Sequence, residues 1–356
     1  MAPSFVRARV RELSGYTPGE QPLPGERVIK LNTNENPFPP SERVLLALRE
    51  IDGEMLRRYP NPTADPFRIA AAKLLGTTTD MILAGNGSDD ILTIATRTFL
   101  SPGAKLAFPE PTYSLYPVLA RLQDATPVSV PWDPDWALPI DGLLATRADA
   151  IYVANPNAPS GTFVTPTKLG ELAKAFDGLL LIDEAYVDFA DDNCVSLVRE
   201  HSNVVITRTL SKAYALAGLR LGYAVAAPSV IHEMMKVKDS YNCDAVAIAL
   251  ATAAISDQEY AKKIWEYVRS ERQRLSAELN QMGWTVLESH ANFILVTAPD
   301  GRGRDAYLGL KRQGILVRYF DKPLLSDKIR ITIGQNHQNN ALLAGIKALT
   351  AAEKAA

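Results

Sequence analysis

The chain has 356 residues, of which 47% are apolar and 22% charged, and its formal net charge is −2. This composition is typical of a soluble globular protein that is long enough for one large or two medium domains. The small net charge argues against nucleic acid or an anionic membrane as a partner. The two cysteines, Cys194 and Cys243, do not form a paired metal-ligand spacing, which argues against a disulfide scaffold and a structural zinc site.

The first 20 residues, MAPSFVRARVRELSGYTPGE, are charged and interrupted by proline and glycine. They do not contain the apolar core of a secretory signal, and no run of about 18 uncharged apolar residues occurs in the sequence. We therefore expect a cytoplasmic protein.

The elements that follow predict an α/β sheet. SERVLLALRE has apolar residues at helical spacing, with Ser41 as the candidate N-cap of a helix over 41–50. The stretch 81–100 predicts a strand, a glycine turn and an amphipathic helix. Short apolar runs come next, at KLAFP, TPVSVP, AIYVANP, LLLIDEAY, NVVITRTLS and LGYAVAA. Apolar runs without alternation predict strands that are buried on both faces by covering helices.

The pattern changes after about residue 230. A long charged helical stretch, DQEYAKKIWEYVRSERQRLSAELNQMG, precedes strand-like runs at WTVLES, ANFILVTA, GILVRYF and KIRITIG, with helices near 304–313 and at the end. This tail predicts a second, smaller α/β domain. We assign an N-terminal arm and small-domain segment to 1–40, a large domain to 41–240 and the small C-terminal domain to 241–356.

The first strand end that carries chemistry is GNGSDD, residues 85–90. Open α/β sheets bind ligands at the carboxyl ends of their strands. The two glycines match a dinucleotide fingerprint only partly, because Asp90 stands at the third glycine position. The following helix N-terminus instead offers the amides of Ser88 and Asp89 to one phosphate. By itself the segment is equally consistent with a tight turn that caps the helix.

The second strand end is LLLIDEAYVDF, residues 179–189, where Asp183 follows four apolar residues. Burial of a carboxylate is unfavourable unless a cation or a hydrogen-bond donor compensates it. An Asp at this place more commonly caps a helix, but the protonated ring nitrogen of a cofactor is a better partner.

The third strand end is RTLSKAYALAGLRLGYAV, residues 208–225. Burial of Lys212 would depress its pKa and make the neutral amine available as a nucleophile. A wholly helical segment would place Arg220 about 12 Å further along, and Gly218 is expected to let the chain deviate from the helix. Thr209 and Ser211 add two hydroxyl groups. The alternative is a surface lysine and an arginine paired with a carboxylate.

Together the three strand ends describe one ligand that has a phosphate, a carbonyl group and a basic ring nitrogen. Pyridoxal 5′-phosphate has these groups. Lys212 would form the imine and Asp183 would keep the ring nitrogen protonated. Arg220, Thr209 and Ser211 would bind the phosphate together with the helix N-terminus.

The sequence resembles the fold-type I pyridoxal-phosphate aminotransferases over nearly its full length, and within them the histidinol-phosphate aminotransferases. The matching segments are LNTNENP, RYPNP, GNGSDD, PEPTYSLY, NPNAPSG, LIDEAYVDF, RTLSKAYALAGLRLGY, NFILV, VRYF and IRITIG. The resemblance implies an α/β fold with a mostly parallel seven-stranded sheet in a large domain and a smaller α/β C-terminal domain.

The resemblance also implies roles for cofactor-binding residues. Tyr113 would stack on the cofactor ring, while Asn157 and Tyr186 would hydrogen-bond its phenolic oxygen. Tyr59 would reach the phosphate of the neighbouring subunit's cofactor, which makes a homodimer the expected active form. One departure is Ala158, which replaces a common asparagine in the NPNAPSG loop.

For the substrate, the resemblance implies that Arg330, helped by Arg318 and Tyr16, binds the phosphate of the donor, with Asn157 also at the substrate. Lys212, Asp183 and Tyr186 are the expected catalytic residues. The expected reaction converts L-histidinol phosphate and 2-oxoglutarate to imidazole-acetol phosphate and L-glutamate by ping-pong kinetics. An aromatic amino-acid aminotransferase and a threonine-phosphate decarboxylase remain alternatives on the same scaffold.

Overall fold

The computed structural model describes residues 3, 5–13, 15, 19–23 and 25–355, with side chains up to residue 349. Strands β1 to β13 are Ile29–Lys30, Ile82–Gly85, Lys105–Glu110, Thr126–Pro131, Ala150–Ala154, Leu179–Asp183, Val204–Thr209, Gly222–Ala226, Thr285–Val286, Phe293–Thr297, Ile315–Leu316, Arg318–Tyr319 and Lys328–Thr332. Helices α1 to α14 are Ala8–Arg11, Glu42–Arg49, Gly53–Leu56, Asp65–Leu75, Ser88–Phe99, Tyr116–Leu122, Ile140–Ala145, Pro166–Ala175, Leu197–Glu200, Pro228–Val237, Ala245–Ile255, Gln258–Gln281, Gly303–Arg312 and Asn336–Ala355.

The largest sheet has seven strands in the order β2-β8-β7-β6-β5-β3-β4. All neighbours are parallel except β8, which runs antiparallel to β7 and to β2. A four-stranded antiparallel sheet has the order β12-β13-β10-β9, and β1 pairs with β11 in parallel. The predicted fold class is therefore confirmed.

The central strands are buried as their apolar runs predict. Every residue of β2, β5, β6, β7 and β8 is buried, because hydrophobic clusters cover both faces of the sheet. The prediction is wrong for TPVSVP, since β4 has no fully buried residue. This strand is at the sheet edge and pairs only with β3, so it lacks the cover of a second neighbour.

The predicted helices form with small differences at their ends. Helix α2 begins after Ser41, whose side chain makes no capping hydrogen bond. The long charged stretch forms α12, which Asp257 caps through the backbone N–H of Tyr260. No helix in the described part of the chain is long and apolar enough to span a membrane.

The run GILVRYF is not one strand, contrary to its expected reading. Residues Ile315–Leu316 pair with Ile29–Lys30, whereas Arg318–Tyr319 pair with β13. The chain therefore changes sheets at Val317. This change joins the N-terminal segment to the C-terminal part of the protein and brings residues after β1 toward the ends of β6 and β7.

Candidate active site

A cleft of about 530 Å³ lies at the carboxyl ends of the central strands of the seven-stranded sheet, and residues of β12 and β13 line its other side. The structure brings eleven residues of the predicted site to this cleft: Ser88, Asp89, Tyr113, Asp183, Tyr186, Thr209, Ser211, Lys212, Arg220, Arg318 and Arg330. Tyr16 lies outside the described residues.

Lys212 follows the end of β7 by three residues and is half-buried in the cleft. Its Nζ donates a hydrogen bond of 3.1 Å to the carbonyl oxygen of Thr33 and lies 6.0 Å from the ring centroid of Tyr186. Burial, followed by the positive charge of Arg330, lowers the pKa of Lys212 to about 8. A neutral amine is thus accessible near physiological pH.

The chain between Lys212 and Arg220 is not an α-helix. It contains a short 3₁₀ turn, Ala217–Leu219, and the left-handed conformations fall at Ala215 and Arg220, each with φ of 58°. The expectation that Gly218 bends the chain is therefore wrong, because the two neighbouring non-glycine residues take the unusual backbone angles.

These backbone angles direct Arg220 toward the start of α5. Its Nη1 donates to Ser211 Oγ at 3.2 Å and to the carbonyl oxygen of Ala217 at 3.3 Å. Its Nη2 lies 3.5 Å from Oδ2 of Asp89. Thr209 Oγ1 donates in turn to Ser211 Oγ at 3.0 Å. The guanidinium and two hydroxyl groups thus form one cluster.

Two glycines allow α5 to approach this cluster. Gly87 precedes the helix with φ of 85°, and a Cβ atom there would lie 2.6 Å from Nη2 of Arg220. At Gly222 a Cβ atom would lie 2.4 Å from the backbone nitrogen of Ser88. The free amides of a helix N-terminus and a guanidinium thus converge in a space suited to a phosphate.

Asp183 ends β6 and is only 5% exposed. Its Oδ2 accepts a hydrogen bond of 3.0 Å from the hydroxyl of Tyr116, while Oδ1 has no hydrogen-bond partner among the described residues. Burial raises the pKa of Asp183 to about 7, and the bond from Tyr116 opposes this rise. A cationic N–H group would satisfy Oδ1 and favour the ionised carboxylate.

Tyr186 presents its ring to the same cleft. Its hydroxyl accepts a 2.9 Å hydrogen bond from Nδ2 of Asn34, and the ring of Phe293 meets it edge-on at 5.0 Å. Asn34 Oδ1 accepts in turn from Oγ1 of Thr332 at 3.2 Å. Because the Tyr186 hydroxyl already accepts one bond, its own proton is available to a ligand.

Asn157 is fully buried beside the cleft rather than among its lining residues. Its Nδ2 donates to the carbonyl oxygen of Pro111 at 3.1 Å and to Ser160 Oγ at 2.8 Å, and its Oδ1 accepts from Thr112 Oγ1 at 2.8 Å. The amide therefore connects two loops that border the cleft. Ala158 next to it belongs to a buried cluster with Ala291 and Phe293, and Tyr186 packs against this cluster.

Two arginines form the opposite side of the cleft. Arg318 and Arg330 are register partners on the antiparallel strands β12 and β13. The guanidinium carbon of Arg330 lies 5.1 Å from the ring centroid of Phe293 and 5.5 Å from that of Phe320, and its Nη2 donates to the carbonyl oxygen of Asn32. Like charges opposite each other on paired strands are unfavourable, so an anion between them would be stabilising.

Tyr59 does not line this cleft. It is 81% exposed, and its ring stacks on that of Tyr241 with centroids 4.5 Å apart. Its predicted role concerns a second subunit.

Three cleft residues or contacts were missed at the sequence level. Tyr116 lies in PEPTYSLY three residues after Tyr113, and the resemblance implies no role for it. Asn34 lies in LNTNENP and has a positive φ of 56°, which Asn tolerates better than most residues. Phe320 follows Arg318 by two residues in VRYF, where side chains of a strand alternate.

Comparison with known proteins identifies the class. The family model described as aminotransferase class I and II matches residues 26–346. The chain belongs to this family.

Individual relatives are more specific. The chain is 46% identical to histidinol-phosphate aminotransferase 1 of Trichormus variabilis over 97% of this chain and 99% of that protein. It is 44% identical to histidinol-phosphate aminotransferase of Rhodopirellula baltica, over 96% and 94%. The crystal structure of histidinol-phosphate aminotransferase from Sinorhizobium meliloti in complex with pyridoxal-5′-phosphate superimposes with a TM-score of 0.89 at 27% identity, covering 98% of this chain and 99% of that one. The resemblance read from the sequence is thus confirmed.

Proposed function

We propose that this protein is a pyridoxal-phosphate-dependent aminotransferase that transfers the amino group of L-histidinol phosphate to 2-oxoglutarate, as a step of histidine biosynthesis. The observation that carries the proposal is one cleft that joins a lysine of lowered pKa, a buried carboxylate with a free oxygen and a pair of arginines. The names of the full-length relatives support this donor.

The residues of the cleft fit the cofactor. The free Oδ1 of Asp183 suits the protonated ring nitrogen, and Arg220 with the N-terminus of α5 suits the phosphate. Tyr113 is available to stack on the ring, since its hydroxyl is fixed by a 3.0 Å bond to Asp89. The cofactor supplies an aldehyde for imine formation and a ring that accepts electrons.

Lys212 performs two tasks in this proposal. Its neutral amine would hold the cofactor through the aldehyde group, and the amine, once free, would move the proton of the amine-bearing carbon of the donor. Tyr186 would donate its hydroxyl proton to the phenolic oxygen of the cofactor. Because the oxo product leaves before the acceptor binds, the kinetics are ping-pong.

Asn157 is also proposed as a ligand of the phenolic oxygen and a neighbour of the substrate. Both amide hydrogens already have acceptors, Pro111 O and Ser160 Oγ. Direct contact therefore requires that one of these bonds opens when the cofactor binds.

The donor phosphate binds between Arg318 and Arg330 in this proposal. A guanidinium forms two parallel hydrogen bonds with phosphate or carboxylate, so the same pair also accepts 2-oxoglutarate. Phe293 and Phe320 restrict the plane of Arg330. Tyr16 is the third proposed phosphate ligand.

We further propose a cytoplasmic homodimer in which Tyr59 reaches the cofactor phosphate of the partner subunit. The exposure of Tyr59, outside its own cleft, supports this arrangement. Mixing Lys212→Ala subunits with Tyr59→Ala subunits tests it, because a mixed dimer has one intact site and regains part of the activity. No gain of activity after subunit exchange would contradict it.

The pairing of β1 with β11 supports grouping 1–40 with the small domain 241–356, apart from 41–240.

The absorbance spectrum of the purified protein is the test of the function. We expect the visible band of lysine-bound cofactor to disappear on addition of L-histidinol phosphate and to return with 2-oxoglutarate. A band that responds only to phenylalanine or tyrosine would indicate an aromatic aminotransferase. Release of carbon dioxide from threonine phosphate without an acceptor would indicate a decarboxylase. A protein that stays colourless after addition of pyridoxal phosphate would contradict the role of Lys212.

A further inference from the structure

We propose that Tyr116 is a positioning residue that fixes Asp183 and keeps its carboxylate charged against the cofactor ring nitrogen. The proposal rests on the proposed function, since it concerns the protonation of the bound cofactor. It adds a residue to which the sequence assigned no role.

The geometry separates the two oxygens of Asp183. Tyr116 is the first residue of α6, fully buried, and its hydroxyl donates to Oδ2 at 3.0 Å. Oδ1 has no partner among the described residues, although Asp183 lines the cleft. A buried carboxylate oxygen without a donor is unfavourable, so Oδ1 is the atom left for a ligand N–H group.

Tyr116 is the donor in this bond. Burial and the neighbouring Asp183 raise the pKa of Tyr116 well above its usual value, so the phenol stays protonated. Its ring is held by edge-on contacts with Tyr113 at 5.7 Å, Tyr152 at 5.5 Å and Phe108 at 6.2 Å. The same side chain therefore contacts the carboxylate and the tyrosine proposed to stack on the cofactor.

The bond has a chemical consequence for the proton between Asp183 and the ring nitrogen. A hydrogen bond to a carboxylate favours its ionised form. With Tyr116 present, the proton therefore resides on the ring nitrogen, where it strengthens the ring as an electron acceptor. Without the hydroxyl, the balance moves toward a neutral carboxyl group and a neutral ring. Removal of the proton from the amine-bearing carbon of the amino donor then slows, while binding of the amino donor is unchanged.

Tyr152 provides a matched control. It is also a fully buried tyrosine, its ring packs edge-on against Tyr116, and its hydroxyl lies 3.0 Å from Oγ1 of Thr96 rather than near Asp183. Tyr152→Phe removes a buried hydroxyl of the same size from the same aromatic cluster. A general effect of packing would appear in both variants.

The experiment uses holoenzyme reconstituted with pyridoxal phosphate labelled with ¹⁵N in the ring. The ring nitrogen is titrated by NMR between about pH 6 and pH 10, and the half-reaction with L-histidinol phosphate is followed by stopped-flow absorbance. In Tyr116→Phe we expect the deprotonation midpoint to fall by about one pH unit and the half-reaction to slow about tenfold, because hydrogen bonds to charged groups have about this effect. The affinity of Tyr116→Phe for L-histidinol phosphate should stay near that of wild type. In Tyr152→Phe, both the midpoint and the rate of the half-reaction should stay near wild type.

Each outcome decides one proposal. If the enzyme transaminates and the deprotonation midpoint of the ring nitrogen in Tyr116→Phe equals that of wild type, the role of Tyr116 is overturned. The proposed function is then unaffected. A wild-type protein that binds the cofactor without transamination would overturn the proposed function, and the ring titration would still decide the role of Tyr116. If no cofactor binds, ¹³C NMR of the Asp183 carboxyl in both proteins decides whether Tyr116 lowers its pKa, and an unchanged value would overturn the proposal.

Discussion

The two sides of the cleft differ in how their charges are held. On the sheet side, Arg220 meets Asp89, and Asp183 is bound by Tyr116, so cations and anions have local partners. On the opposite side, Arg318 and Arg330 are register partners with the same charge. The sheet side is thus preorganised before a substrate arrives, whereas on the arginine side two like charges lie opposite each other and a bound anion would reduce their repulsion. We therefore propose that the sheet side carries chemistry common to all donors and that the arginine side selects among them.

The largest effect that tests this comparison is expected for Lys212→Ala. Loss of the imine-forming amine and of the proton carrier abolishes transamination of every donor, since general acid–base catalysis alone contributes about 10² to 10⁴-fold. Steady-state assays and circular dichroism should show an inactive, folded protein. Lys30→Ala is the control, because Lys30 bonds to the side chain of the same Thr33 without lining the cleft. Wild-type turnover of Lys212→Ala would contradict the assignment of the sheet side.

A second, smaller effect is expected for Asp183→Asn. Loss of one partner of a buried ion pair costs about 3–5 kcal/mol, which corresponds to a fall in kcat of about 10²- to 5 × 10³-fold. The fall should be equal for phosphorylated and unphosphorylated donors. Asp188→Asn, which changes a carboxylate five residues further along the chain and outside the cleft, should remain active. A donor-dependent loss in Asp183→Asn would break the division between the two sides.

The third effect concerns Arg318→Gln and should appear in KM. Loss of a charge-assisted hydrogen bond of about 1.5–3 kcal/mol raises KM for L-histidinol phosphate about 10- to 100-fold. L-histidinol, which lacks the phosphate, serves as the control substrate and should respond little. If both substrates were affected equally, Arg318 would not be a phosphate ligand.

The smallest effect concerns the pKa of Lys212, which lies on the sheet side and is influenced by Arg330 on the arginine side. The pKa of Lys212 is lowered to about 8, so we expect the rate of pyridoxal phosphate capture by apoprotein to rise as the pH rises through this value, because only the neutral amine attacks. Arg330 is the second cause of the lowering, after burial. Arg330→Gln should therefore move the midpoint upward, by less than about one pH unit.

Stopped-flow absorbance over a pH series measures this midpoint. Arg318→Gln is the matched control, because it removes the same charge from the register partner of Arg330 on the neighbouring strand. An equal shift in both variants would show that net charge, rather than the position of Arg330, controls the amine.

Much of the fold could be predicted because the local sequence identifies each central strand. The unbroken apolar runs that end in Asp183 and Thr209 each predict a strand, its burial and the residue at its end. TPVSVP shows the limit of this reasoning, since a similar run lies at an edge, and the order of strands in a sheet is a property of the whole chain.

The site was predictable where one residue type carries the chemistry, as at Lys212, and not where a role depends on a distant partner. Tyr116 and Asp183 are 67 residues apart, and Asn34 and Tyr186 are 152 residues apart. Hydrogen bonds over such separations leave no local pattern. The conformations of Ala215 and Arg220 were missed for a related reason, because tertiary contacts overrode the ordinary preference of non-glycine residues.

The pairing of β1 with β11 has a consequence for the order in which the protein matures on the ribosome. Thr33, whose carbonyl oxygen receives the hydrogen bond from Lys212, follows β1 closely in the chain, but Ile29 finds its partner only at Ile315. Contacts of such high sequence separation are slow to form. A nascent chain can therefore complete the seven-stranded sheet well before the surroundings of its lysine exist, and the cleft closes only after Ile315 and Leu316 have been synthesised.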